Sequence, residues 1–201
     1  MEITAALVKQ LREATGAAVL DCKKALEAHG GDLDKAKAWL NEKGLASAAK
    51  KASRVAKEGR VEIYIHPGNR VGVMVEVNCE TDFVAKTDAF QSFAHEVALH
   101  IAFANPQYLD VTELPAASVE TEKAKLRDRA LADGKPEKVV EKIVEGQIEK
   151  FYQEVCLLRQ PFIKDEKVTI GDLLKQTVAI IGENVVIRRF ARFELGEGVG
   201  E

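Results

Sequence analysis

The apolar positions of the first 44 residues recur at three- and four-residue intervals, the spacing that lines one face of a helix. Leu7, Val8 and Leu11 form the first set, Val19, Leu20, Cys22, Ala25 and Leu26 the second, and Leu33, Ala36, Trp39 and Leu40 the third. The punctuation agrees with three short helices. Thr4 can cap the first and Gly16 stop it, Gly30-Gly31 ends the second, Asp32 caps the third and Gly44 closes it. A bundle of roughly 45 residues is small for an independent core, so it is expected to be the less stable part of the chain.

Residues 45–59, "LASAAKKASRVAKEG", are rich in Ala, Lys and Ser and read as a helical or flexible connector. From Arg60 the period falls to two. "VEIYIH" places Val61, Ile63 and Ile65 on one side and "VGVMVEVN" places Val71, Val73, Val75 and Val77 together, with "PGN" between them, which predicts a hairpin with one buried face. Helical spacing returns with Phe90, Phe93, Ala94, Val97, Ile101 and Ala102, a helix expected to cover that face and to end near Asn105-Pro106. Residues 118–132 and 136–153 read as a charged helical hairpin broken at "DGKP". "VTIGDLLKQTVAIIG" gives one more helix, and "ENVVIRRFARFEL", with Val185, Ile187 and Phe193, a third strand. The predicted fold is α+β: a three-helix bundle over residues 1–44, a basic helical linker over 45–59, and a core over 60–201. That core has a three-stranded antiparallel sheet packed by helices, including a two-helix hairpin.

Composition narrows the function classes more than it changes the fold. Twenty-nine basic against thirty-two acidic residues give a formal charge of −3, which argues against a general polyanion binder. Lys50, Lys51, Arg54, Lys57 and Arg60 can form a local phosphate-tracking face, but no aromatic is interleaved for base stacking, so a solvated connector is the plainer reading and no direct nucleic-acid binding is expected. The opening "MEITAALVKQLREATG" is unlike a signal peptide, and no segment approaches the roughly 20 apolar residues of a membrane span. A cytoplasmic protein with reduced thiols is expected from this and from three scattered cysteines, Cys22, Cys79 and Cys156.

Candidate chemistry is sparse. His95 and His100 stand about 140° apart on a helix and do not readily share a metal. A site of Cys79, Glu80, Asp82 and His95 lacks the tight, repeated spacing of metal motifs, and no cysteine has the context of a nucleophile. "GEGVG", residues 196–200, follows the last strand with no helix after it and reads as a tail rather than a phosphate loop. In "CLLRQPFIKD" burial of Leu157, Leu158 and Phe162 is the favoured reading.

One stretch resists a folding explanation. In "NCETDFVAKTDAF", residues 78–90, Thr81 can cap a turn, but Phe83 and Val84 belong to no apolar period and lie between Glu80, Asp82 and Lys86. Core packing and a partner-binding anchor are both open for Phe83 on pattern alone.

The residues themselves carry a resemblance. "ITAALVKQLREATGAAVLDCKKALEAHGGD", "AAKKASRVAKEG", "VGVMVEVNCETDFVAK", "GKPEKVVEKIVEGQIEKF", "QPFIKD" and "ENVVIRRFARFELGEG" together resemble the translation elongation factor Ts family, in order and over nearly the whole chain. The resemblance implies a guanine-nucleotide exchange factor for the translational GTPase EF-Tu, with no catalytic residues, metal or cofactor of its own. It implies a ubiquitin-associated-like N-terminal domain and an α+β core. It carries the family's Thr-Asp-Phe-Val motif onto Thr81, Asp82, Phe83 and Val84, which would disturb the magnesium and phosphate site of the GTPase. It carries contacts of the N-terminal domain onto Lys9, Arg12, Val19 and Leu20, the last two standing where the family commonly has two methionines. Because the chain is shorter than the long form of the family, the resemblance also implies a homodimer.

Overall fold

The computed structural model describes residues 3–198. Met1 and Glu2 of the opening stretch, and Val199 and Gly200 of "GEGVG", lie outside the described residues. The elements are α+β: α1 (Ala5–Thr15), α2 (Val19–Ala28), α3 (Leu33–Lys51), β1 (Glu58–Ile65), β2 (Val71–Cys79), α4 (Asp82–Ala85), α5 (Asp88–Ala104), α6 (Ala116–Ala132), α7 (Glu137–Val155), β3 (Pro161–Phe162), β4 (Asp165–Thr169), α8 (Ile170–Ile181) and β5 (Val186–Glu194). β1, β2 and β5 form a three-stranded antiparallel sheet in the order β1-β2-β5, and β3 pairs antiparallel with β4. The chain divides into two compact units, one of Met1–Glu62, Val75–His95 and Leu173–Arg188, the other of Ile63–Met74, Glu96–Asp172 and Arg189–Glu201.

The first unit holds the three-helix bundle. Thr4 accepts the Leu7 N–H at the head of α1, Asp32 accepts from Asp34 and Lys35 at the head of α3, and Gly16 ends α1 in the left-handed region. Leu11, Cys22, Ala25, Leu26, Ala36 and Leu40 form its core, with Leu7, Val8, Leu33 and Trp39 packed around them. α3 does not close at Gly44 but runs on to Lys51. The Ala-rich sequence beyond Gly44 favours helix, and a Cβ at Gly44 would lie 2.9 Å from that of Ala179, so this glycine serves close packing rather than termination. Ala48, Val75, Val77, Cys79, Phe90, Phe93, Ala94, Val178, Val185 and Ile187 are, among the described residues, the other buried apolar ones of this unit.

The hairpin departs from expectation in one strand. Val73, Val75 and Val77 of β2 are buried, but Val61, Ile63 and Ile65 of β1 are 53, 58 and 54% exposed. The reason is facing. Glu62 of β1 bonds through its carboxylate to His95 Nδ1 on α5, at 3.1 Å, so its odd-numbered neighbours point to the other side of the strand. The period of two identified the strand without indicating which face a helix would cover. Phe193 of β5, read as a strand residue with Val185 and Ile187, is also exposed, whereas those two are buried.

In the second unit, α6 and α7 make the predicted hairpin, with Gly134 and the N-cap Pro136 at the break. Ala130, Val140 and Val144 are its buried seam, and Arg127 makes two hydrogen bonds to Glu141 across it. Leu157 and Phe162 are buried, as expected for "CLLRQPFIKD", whereas Leu158 is only half-buried. The β3–β4 pair is too short to show a period and was not legible in the sequence.

His100 is fully buried in this unit, and its Nε2–H donates to Gln160 Oε1 at 2.9 Å, because the Gln160 amide nitrogen is already donating to Glu154 O and Ala104 O. Burial lowers its pKa below the ordinary 6.5, outweighing the Gln160 hydrogen bond, which raises it. The unfolded chain therefore binds this proton first: the stabilisation is complete above 6.5 and is lost as the pH falls through the lower folded value. Urea midpoints measured across that range are expected to fall with acidification, and less steeply for His100→Gln. Equal slopes for both proteins would remove His100 as the cause.

Candidate functional site

The junction between β2 and α5 turns through α4, a single helical turn built on Thr81. Thr81 is extended, at φ −128° and ψ 153°, and its Oγ1 accepts the Val84 N–H at 3.4 Å, the geometry of a helix N-cap. The exit is also pinned: Lys86 N–H donates to Phe83 O, and the Thr87 N–H and hydroxyl both donate to Val84 O. A short turn of this kind is held by side chains rather than by its own length.

The turn presents Phe83 outward. Its side chain is 77% exposed, so the core-packing reading fails, whereas Phe90, seven residues on, is fully buried. Val84 is half-buried and Asp82 exposed. Lys86 Nζ lies 2.7 Å from Asp82 Oδ2 and 5.9 Å from the centre of the Phe83 ring. The Lys86 hydrogen bond holds the Asp82 carboxyl below its usual range. An aromatic displayed beside a neutralised ion pair suits docking into a partner surface.

From behind, the turn is held by the loop between α8 and β5. Glu183 Oε2 accepts the N–H groups of Glu80 and Thr81 at 3.1 and 3.0 Å, and its Oε1 accepts the Thr81 hydroxyl at 2.7 Å. Sequence reasoning missed Glu183, because its partners lie 102 and 103 residues away and no local pattern signals them.

Cys79 closes the buried side. Its thiol donates to Thr81 O at 3.1 Å and is pushed up to about 11, first by burial and then by the Glu183 charge. Cys156 is pushed up to about 11 as well, first by burial. Both thiols are therefore protonated at neutral pH, the opposite of an activated nucleophile. Among the described residues no three His, Cys, Asp or Glu side chains gather in a metal-holding group, and no helix is long and apolar enough to cross a membrane.

The other four residues drawn from the resemblance stand on the bundle. Lys9 and Arg12 are exposed on α1, with Lys9 3.7 Å from Glu13, while Val19 and Leu20 begin α2 at 52 and 71% exposure. They occupy separate elements from the Thr81–Val84 turn.

Comparison with known proteins gives this geometry its context. The profile of the family described as Elongation factor TS matches residues 40–197, and that of "Elongation factor Ts, mitochondrial, N-terminal" matches residues 1–49. The chain belongs to the elongation factor Ts family. It is similar to the elongation factor Ts of Heliobacterium modesticaldum, 58% identical over 99% of this chain and 93% of the relative. It is likewise similar to that of Desulfitobacterium hafniense, 60% identical over 98% of this chain and 91% of the relative. For the Thermoanaerobacter pseudethanolicus protein the identity is 58%, over 98% of this chain and 97% of the relative. Membership places the chain in translation elongation.

Proposed function

We propose that the chain is a guanine-nucleotide exchange factor for EF-Tu in the cytoplasm, and that the Thr81–Val84 turn acts on the GTPase domain. The observation that carries this reading is Phe83: a large aromatic left 77% exposed on a turn fixed at both ends, in a family of elongation factors. Magnesium bridging nucleotide phosphates to a GTPase is the dominant local charge there, so a small displacement of its surroundings weakens nucleotide binding severely. Phe83 supplies the apolar wedge. Asp82, paired with Lys86, fixes the wedge's orientation. Lys9, Arg12, Val19 and Leu20 give the N-terminal domain, residues 1–44, a second contact with EF-Tu.

Linkage sets the cycle. A factor that lowers nucleotide affinity is itself released when nucleotide rebinds, and it speeds exchange without choosing between GDP and GTP. The test is release of labelled GDP from EF-Tu with and without the chain. Unchanged release by folded protein would defeat the reading.

The uncovered row on β1 supports a homodimer. Ile63 and Ile65 are joined on β2 by Met74, 50% exposed. A Cβ at Gly72 would lie 3.2 Å from Ile65 Cδ1, so Ile65 and the even-numbered side of β2 share a face. A second copy laid on this face would remove the apolar side chains from water. Sedimentation is expected to give twice the chain's mass, and Ile63→Asp to give the single-chain mass; a monomeric wild type at micromolar concentration would contradict this.

A further inference from the structure

The Thr81–Val84 turn is held by a clasp that works in both directions. Glu183 reaches back to take the Glu80 and Thr81 N–H groups and the Thr81 hydroxyl. Glu80 reaches forward to accept the N–H of Asn184 at 2.6 Å. Asn184 is 4% exposed and donates its amide to Arg54 O at 2.7 Å and Ala52 O at 3.5 Å, while Arg54 lies 3.5 Å from the Glu80 carboxylate. Gly182, at φ 84°, ends α8 in the left-handed region and turns the chain so that Glu183 faces the strand end.

The Glu183 carboxylate is thus committed to the backbone and hydroxyl at the start of the turn, while Glu80 and Asn184 tie the strand end to the Ala52–Arg54 segment. The residues of the turn from Thr81 to Phe83 are exposed, so burial of its side chains does not fix its shape. Without Glu183 the Thr81 N–H, Glu80 N–H and Thr81 hydroxyl would all revert to water, and the backbone before the turn would keep only the Cys79 thiol on Thr81 O and the Glu80–Asn184 bond. We propose that Glu183 is a positioning residue for nucleotide exchange: it presets the direction in which Thr81 launches α4 and therefore where Phe83 points.

The proposal rests on the exchange reading and has its own signature. Capture of EF-Tu by exposed groups on α1 and α2 does not depend on the turn, whereas insertion of Phe83 does. Loss of Glu183 therefore lowers the turnover rate and leaves the concentration for half-saturation nearly unchanged. A turn that is competent only part of the time acts in proportion to that fraction.

The experiment measures GDP release at increasing EF-Tu·GDP, using the full chain as wild type, Glu183→Ala and Glu183→Gln. Glu183→Ala is expected to lower kcat about 10-fold with KM within about twofold, as the loss of charge-assisted bonds allows. Glu183→Gln is expected to recover most of kcat, since its carbonyl oxygen can accept both N–H groups and its amide can donate to the Thr81 hydroxyl. Amide hydrogen exchange gives a second readout: Glu80 and Thr81 lose protection in the Ala variant only, while Val75 and Val77 keep theirs.

An unchanged kcat in a Glu183→Ala protein would overturn the proposal, as would equal loss in both variants or uniform loss of protection across β2. Failure of the wild type to accelerate release would instead count against the exchange reading. The positioning of the turn would then be decided by the Glu80 and Thr81 amides alone, with unchanged protection overturning it.

Discussion

Val75→Asp is expected to abolish the fold. Val75 is fully buried on β2, the middle strand of the sheet. The substitution forfeits about 1.5–3 kcal/mol of apolar burial. It also places a carboxylate, ionised or forced to protonate, where its desolvation costs several kcal/mol more. Together these reach the scale of a domain's whole stability, about 5–15 kcal/mol. Circular dichroism should show no cooperative melt at room temperature. A melt within a few degrees of the wild type would mean that β2 is not the core strand.

Phe83→Ala is expected to have the opposite profile, a large functional loss with little change in stability. A side chain 77% exposed makes few contacts to lose, so the melting temperature should move by no more than a degree or two. The GDP-release rate should fall at least 10-fold, the scale on which truncating a central aromatic anchor of an interface weakens it by 2 kcal/mol or more. Thr81 and its clasp are untouched by this change, so the turn persists without its aromatic ring. Stability loss comparable to that of Phe90→Ala, where the ring is fully buried, would return Phe83 to the core and remove the basis of the exchange reading.

These two residues also show what the sequence could and could not reveal. Val75 announced itself by periodicity, as did the helix faces of the bundle, because burial on one side of a regular element repeats at a fixed interval. Caps at Thr4, Gly16 and Asp32 were legible for a local reason, since each acts on residues within one turn of chain. Phe83 could be noticed only as an exception to every period, and its exposure removes the core-packing reading.

What was not legible depended on distance or on partners outside the local pattern. Val61, Ile63 and Ile65 alternate like a buried row, yet the Glu62–His95 contact sends them to the uncovered side of β1. Gly44 looks like a stop in one dimension and is a packing notch against Ala179 in three. Glu183 carries no motif of its own, and its importance to the turn exists only because the fold brings together residues more than 100 positions apart.

Stopped-flow release of fluorescent GDP from EF-Tu in magnesium buffer, measured with the wild-type chain added, tests the central claim most directly. Release is expected to accelerate by orders of magnitude, to saturate with added chain, and to be largely lost with Phe83→Ala. Folded wild-type chain that leaves the release rate unchanged, or a Phe83→Ala variant as fast as wild type, would contradict it.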